Sequence, residues 1–207
     1  MNEPLVWYVS YGSNMNAKRF GCYLAGGTPE GAERCYPGCR ETRPPLATRR
    51  YELPGGVYFA TWSRVWRGGR AFYDPGLPGT APARAYLITA GQFADVAAQE
   101  MYRDPGTDLD LTEVLTAGRA EVGPGRYETL LCPGYLDDRP VLTFTAPWCA
   151  HDVDGQAPSP EYLRMLATGL REAHGWDLPR AAGYLAGLPG AAGTWSAEAI
   201  VAALACI

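Results

Sequence analysis

Glu100 occupies a position where an apolar side chain is expected. Between Thr89 and Met101, the residues Phe93, Val96, Ala97 and Met101 fall at i, i+3, i+4 and i+8, the inward stripe of an amphipathic helix. Glu100 is the i+7 member of that stripe, nearly two full turns from Phe93 and pointing almost the same way. Gln92, Asp95 and Gln99 occupy the opposite, polar face. A carboxylate on an apolar stripe is costly unless it has a partner or a task. Burial raises a carboxyl pKa, and a glutamate tuned upward is what general acid/base work needs near neutral pH. The competing reading is a glutamate at a helix end that extends to solvent or pairs with Arg103.

A second candidate is the stretch Tyr8-Val9-Ser10-Tyr11-Gly12-Ser13-Asn14. It reads as an apolar strand from Leu5 to Tyr11 that stops at a Gly-Ser-Asn turn, with a helical segment starting near Asn16. A glycine there can take unusual dihedrals and let a ligand approach the backbone. A tight turn before a helix N-terminus leaves N–H groups without partners, which suits a carboxylate or another oxyanion. Read alone, it is equally a plain turn. The remaining polar groups read as structural. His151 lies in a Pro/Asp-rich loop and His174 at a helix end, and Arg67 and Arg70 flank a glycine pair in a turn. Gly-x-Ser-x-Gly is absent, and nothing near Ser13 supplies a base. The cysteines Cys22, Cys35, Cys39, Cys132, Cys149 and Cys206 match no common zinc spacing and are expected as free thiols, with no metal and no cofactor.

Many short elements position these groups. Pro-Gly dipeptides recur from Pro37-Gly38 to Pro189-Gly190 and mark turns. The spacing predicts a helix over 16–24, a long loop over 28–44, and strands over 46–53, 57–60, 71–73 and 83–88. Thr89 with Gln92 forms a capping-box pattern that opens the helix carrying Glu100. Beyond it come a short helix over 108–115 and strands over 127–132 and 141–145. Ser159, Pro160 and Gly175 delimit a helix, and two more follow over 179–186 and 197–206. This is an α+β chain with a curved or barrel-like sheet, expected as one domain over 1–207 with a C-terminal helical extension over 178–207.

With 207 residues, 47% hydrophobic and 19% charged, the chain has the composition of a globular protein. A net charge of −4 argues against nucleic acid or an anionic membrane as partner. No apolar run approaches the roughly 20 residues of a membrane span, and Met1-Asn2-Glu3-Pro4 lacks the features of a signal peptide, so a cytoplasmic location is expected. Lys18 is the single lysine against many arginines, a bias of GC-rich bacterial genomes. Nothing in the sequence points to an oligomeric state.

With these residues in view, the chain resembles the γ-glutamyl cyclotransferase-like family. Tyr8 to Met15 is similar to that family's Tyr-Gly-Ser-Asn signature, with Met15 where leucine is usual. Trp66-x-Gly68-Gly69-x-Ala71 resembles a Trp-x-Gly-Gly-x-Ala stretch, and Gln99-Glu100 falls where the family carries its catalytic glutamate. Met101-Tyr102 follows directly, so a few residues are missing by comparison. Ser159-Pro160-Glu161-Tyr162 is similar to a stretch whose tyrosine contacts ligand. The resemblance spans about 8–175. It implies a small mixed β-barrel flanked by helices, a γ-glutamyl amide as small-molecule substrate, and no cofactor. It implies that Tyr8, Val9, Ser10, Tyr11, Gly12, Ser13, Asn14 and Tyr162 bind substrate, and that Glu100 is catalytic. The α-amine would attack the γ-carbonyl within one molecule, releasing 5-oxoproline and a free amine. Two alternatives stay open: a binding or regulatory protein of the same fold without turnover, and an amide hydrolase or acyltransferase using the same pocket.

Overall fold

The computed structural model describes residues 3–29 and 34–205. In chain order the elements are β1 (Leu5–Ser10), a 3-10 turn (Ser13–Met15), α1 (Ala17–Ala25), β2 (Ala47–Pro54), β3 (Gly56–Ser63), β4 (Gly68–Asp74) and β5 (Thr80–Thr89). Then come α2 (Ala90–Glu100), α3 (Thr112–Ala117), β6 (Arg119–Glu121), β7 (Thr129–Leu136), β8 (Arg139–Thr145), α4 (Pro160–His174), α5 (Leu178–Gly187) and α6 (Ala197–Ala205). The architecture is α+β, with one six-stranded sheet in the order β2-β5-β1-β8-β7-β6 and a separate β3-β4 pair. β1 runs antiparallel to β5 and parallel to β8, so the sheet is mixed. Its order ends at β2 and β6, so among the described residues the sheet does not close on itself, while the α+β class and the mixed sheet flanked by helices are as expected. The β6 edge is a strand of three residues, too short to template a long ladder. Cys206 and positions 30–33 of the expected loop lie outside the described residues.

The chain divides into two compact units. Unit 1 comprises Met1–Ser10, Lys18–Tyr51 and Arg84–Pro147; unit 2 comprises Tyr11–Ala17, Glu52–Ala83 and Trp148–Ile207. The division falls inside the Tyr8–Asn14 stretch, directly after β1.

In unit 1, β1 is a buried strand paired along its length, from Leu5 opposite Thr89 to Ser10 opposite Arg84. Tyr8 points into an aromatic cluster, 5.4 Å from the ring centre of Phe144, 5.5 Å from Phe20 and 5.9 Å from Phe93. Phe93, Val96 and Ala97 of α2 are buried there, as their periodicity predicts. The helix opens on the expected capping box: the Thr89 hydroxyl accepts from the Gln92 N–H at 3.1 Å, and Gln92 Oε1 accepts from the Thr89 N–H at 3.1 Å. The expected polar face of α2 is a correction, because Gln92, Asp95 and Gln99 are only 2%, 1% and 0% exposed. The irregular segment after α1 supplies the partners of Gln92 and Asp95, and α1 itself that of Gln99. Gln92 Nε2 donates to the carbonyls of Glu41 and Arg43, and the Arg40 N–H and guanidinium donate to the Asp95 carboxylate. Gln99 Nε2 donates to the Tyr23 carbonyl at 3.0 Å. A segment without strand partners must satisfy its backbone somehow, and these side chains do it.

In unit 2, β3 and β4 form a hairpin with an irregularity between Ala60 and Trp62, where Thr61 sits at φ 53°, an uncommon conformation for a β-branched residue. α4 starts as predicted, with the Ser159 hydroxyl accepting from the Tyr162 N–H, and stops at Gly175 with φ 68°. The 3-10 turn packs closely on α4. A Cβ on Gly169 would sit 2.6 Å from Met15 Cβ, which is why that helix position carries glycine. α5 and α6 follow as the expected C-terminal helices.

Candidate functional site

Glu100 is the last residue of α2 and partly buried, in unit 1. Arg103, its expected alternative partner, pairs instead with the buried carboxylate of Glu128. The cation that acts on Glu100 is Arg19, from α1, which is only 4% exposed. Arg19 Nη2 donates to the hydroxyls of Tyr36 at 2.8 Å and Tyr23 at 3.3 Å, and the Tyr23 hydroxyl donates to that of Tyr36 at 3.2 Å. Burial works against the Arg19 charge, but Tyr23, Tyr36 and the Glu100 carboxylate outweigh it and leave the guanidinium pKa raised. Burial, with the Glu100 charge behind it, pushes the Tyr23 phenol well above its ordinary range. So the carboxylate faces a fixed cation held by two tyrosine hydroxyls. Arg19 was missed in the sequence, although the same off-pattern logic reaches it: it lies one residue from Phe20 and four from Tyr23 on a helix whose other inward residues are apolar.

Of the strand residues expected to bind ligand, Tyr8 and Val9 have side chains committed to the core, at 2% and 0% exposed. The Val9 carbonyl accepts from the Thr143 hydroxyl at 2.8 Å. Ser10 is buried and ends β1 opposite Arg84.

Tyr11, Gly12, Ser13 and Asn14 belong to unit 2, together with Tyr162. Gly12 has φ −111° and ψ −151°, extended backbone open to any residue, so its expected unusual dihedral is a correction. A Cβ on Gly12 would meet only the Tyr162 hydroxyl, at 3.6 Å. The glycine therefore leaves a gap beside that oxygen and relieves no backbone strain. The helix N-terminus behind the turn is also not the expected open anion site. The Glu172 carboxylate accepts from the Ala17 N–H at 3.0 Å and from Asn16 Nδ2 at 3.2 Å, while the Met15 and Asn16 amides donate to the Gly12 and Ser13 carbonyls.

Three stretches that are far apart in sequence meet at Tyr162. Its ring lies 4.8 Å from that of Trp66, and its hydroxyl accepts from the Ala71 N–H at 3.3 Å. The Gly68-Gly69 pair lets β4 approach the segment leading into α4. The Gly69 N–H donates to Ala157 O at 2.7 Å, and a Cβ on Gly69 would fall 1.8 Å from Gln156 O. Tyr11 lies 5.7 Å, ring to ring, from Tyr73. Arg70 donates to the Thr61 hydroxyl at 2.9 Å and Arg67 sits in the turn at φ 53°, as structural residues do. His151 is exposed beside Asp152, and His174 contacts Ala83 O at 2.9 Å. Cys22, Cys35, Cys39, Cys132 and Cys149 are free thiols. Among the described residues, no group of three or more His, Cys, Asp or Glu is placed to hold a metal ion.

No family model matches the chain. The sequence is 30% identical over 198 residues to Histone deacetylase 5 of Arabidopsis thaliana, covering 87% of this chain and 30% of that protein. The chain thus spans less than a third of the length of this curated relative. Among solved structures, an uncharacterized protein of Homo sapiens aligns at a TM-score of 0.51 with 14% identity, over 98% of this chain and 99% of that one. A γ-glutamyl cyclotransferase aligns at a TM-score of 0.48 with 15% identity, over 97% and 98% of the two chains. The likeness to the human structure, at 14% identity, shows a shared α+β fold and nothing finer.

Proposed function

We propose that the chain is a γ-glutamyl cyclotransferase-type enzyme that cleaves a γ-glutamyl amide by intramolecular attack of its α-amine. The observation that carries this reading is the convergence on Tyr162 of Gly12 and the Trp66–Ala71 stretch, three segments that the family resemblance singles out independently. In the proposed reaction Glu100 takes a proton from the α-ammonium group. The freed amine attacks the γ-carbonyl carbon, the carbonyl becomes an oxyanion, and collapse breaks the amide bond. Glu100 returns the proton to the leaving nitrogen, the attacking nitrogen sheds its second proton as the lactam forms, and that proton ends on the released amine, so 5-oxoproline and an ammonium are released and no water is consumed. The Arg19 guanidinium and the Glu100 carboxylate attract one another. The resemblance assigns substrate oxygens to the backbone of Tyr8 to Asn14, of which Tyr11 to Asn14 lie beyond the paired strand, and assigns a substrate contact to the Tyr162 hydroxyl.

One carboxylate suffices because the nucleophile is part of the substrate, so proximity comes with binding. General acid/base catalysis supplies about 10²- to 10⁴-fold. The test is release of 5-oxoproline from a panel of γ-glutamyl amides. Binding without release by wild-type protein favours the non-catalytic reading, and release of glutamate favours the hydrolase. The deacetylase name belongs to a protein of which this chain spans 30%, and it adds no specific support to the hydrolase reading.

A further inference from the structure

In unit 2, the tip of the β3–β4 hairpin presents an indole to solvent. Trp62 is 56% exposed, while Ser63 beside it is 2% exposed. Side chains alternate along an extended chain, so Trp62 and the exposed Arg64 stand on the same outer face. The residue opposite Trp62 is Gly69, which has no side chain to cover the indole. The irregularity at Thr61 turns this face outward, and the Arg70 guanidinium fixes it by donating to the Thr61 hydroxyl at 2.9 Å. A β-branched residue at φ 53° is strained, and such strain gathers at binding and switch regions. Among the described residues Arg64 makes no hydrogen bond or ion pair. The tip, residues 61–70, carries Arg64, Arg67 and Arg70 and no acid, on a chain whose net charge is −4. Tryptophan and arginine are the residue types that anchor protein interfaces.

Unit 1 carries a surface of opposite charge. A cavity of about 230 Å³ opens at the start of α2, lined by the carboxylates of Glu3, Glu41, Asp95 and Asp108. Arg40 pairs with Asp95 and Asp108, and Arg43 with Glu41, which leaves carboxylates in excess. We propose that the Trp62–Arg64 tip of one copy of this chain docks at this cavity on a second copy, with the Arg64 guanidinium inside and the indole over the mouth. The guanidinium gains a charge-assisted pair with a carboxylate, and the indole leaves water. The two surfaces differ, so the contact builds a closed ring or a growing chain according to the rotation between copies. Opposite charges make it sensitive to salt. The proposal is independent of the cyclotransferase reading.

The experiment is sedimentation equilibrium of the full chain between about 1 and 100 μM, at about 0.05 M and about 0.5 M NaCl. The mean mass of the wild type is expected to rise with concentration at low salt, with association about tenfold weaker at high salt. Trp62→Ala and Arg64→Glu disable the tip, and Glu41→Lys reverses a charge in the cavity. Each is expected to weaken association by about tenfold or more, and to melt within about 2–4 °C of wild type. An equimolar mixture of the Arg64→Glu and Glu41→Lys proteins separates this contact from any other, because one copy keeps the cavity and the other keeps the tip. The mixture is expected to regain a species of two copies that neither variant forms alone. A wild type that stays monomeric at every concentration overturns the proposal. So does association that survives Arg64→Glu, or a mixture no heavier than its components. Binding of hexaglutamate by a monomeric wild type, lost in Arg64→Glu, would assign the tip to another acidic chain and overturn the contact between copies.

Discussion

Glu100 and Gly12 bear on chemistry more than on folding: Gly12 is replaceable without an obvious structural cost, and Glu100→Gln costs only the charge that faces the buried Arg19. Glu100→Gln keeps shape and hydrogen-bonding capacity and removes the base. The expected result is a loss of about 10²- to 10⁴-fold in turnover, with ligand affinity retained, measured by 5-oxoproline release beside calorimetry. Gly12→Ala adds a methyl at ordinary contact distance from the Tyr162 hydroxyl, on backbone that accepts any residue. It is expected to melt within about 2–4 °C of wild type, the shift of a change near 1 kcal/mol, and to lose affinity for γ-glutamyl ligands. A large drop in melting temperature would show that Gly12 is a folding residue. The two positions were legible to different degrees. Glu100 stood out because periodicity makes a misplaced carboxylate visible. Arg19 did not, although it obeys the same rule, because its nearest hydrogen-bond partner, Tyr36, comes from the segment after α1, whose approach no local pattern encodes.

At the scale of elements, the local signals were read well wherever they were chemical. The Thr89 capping box, the Ser159 cap and the Gly175 stop all lie where their residue types require. Thr89→Ala is expected to cost about 1 kcal/mol, visible as a lower denaturation midpoint. Gly69→Ala is expected to cost more than Gly12→Ala, about 1–3 kcal/mol as an overpacking change, because its Cβ meets backbone that cannot rotate aside. Comparing the two melting curves checks this directly. Other features lacked a local signal. The three residues of β6 are too few to show alternation. The buried polar face of α2 depends on Gln92, Asp95 and Gln99 meeting backbone from residues 23 and 40–43, a tertiary fact that composition cannot carry.

Across the whole molecule, the α+β class was readable from the mixture of short strands and capped helices, while the open ends of the sheet and the two compact units were not. Both depend on which strands pair, and pairing is non-local. The molecule also buries neutral acids. Burial, helped by the Asp95 charge, pushes the Cys39 thiol up to about 12, and burial raises the Tyr23 and Tyr58 phenols. A raised folded-state pKa gives stability that is complete below the unfolded value and lost as pH rises through the folded one. The denaturation midpoint is therefore expected to fall from about pH 9 toward 12, and Cys39 to resist alkylation near pH 8 while the exposed Cys35 and Cys149 react. A flat alkaline profile would contradict the burial of these groups. The central claim, attack by the substrate's own amine, is tested most directly by incubating wild-type protein with γ-glutamyl amides in ¹⁸O-labelled water and weighing the product. Intramolecular attack predicts unlabelled 5-oxoproline and an equal amount of free amine. Labelled glutamate would mean that water, and not the α-amine, resolves the amide.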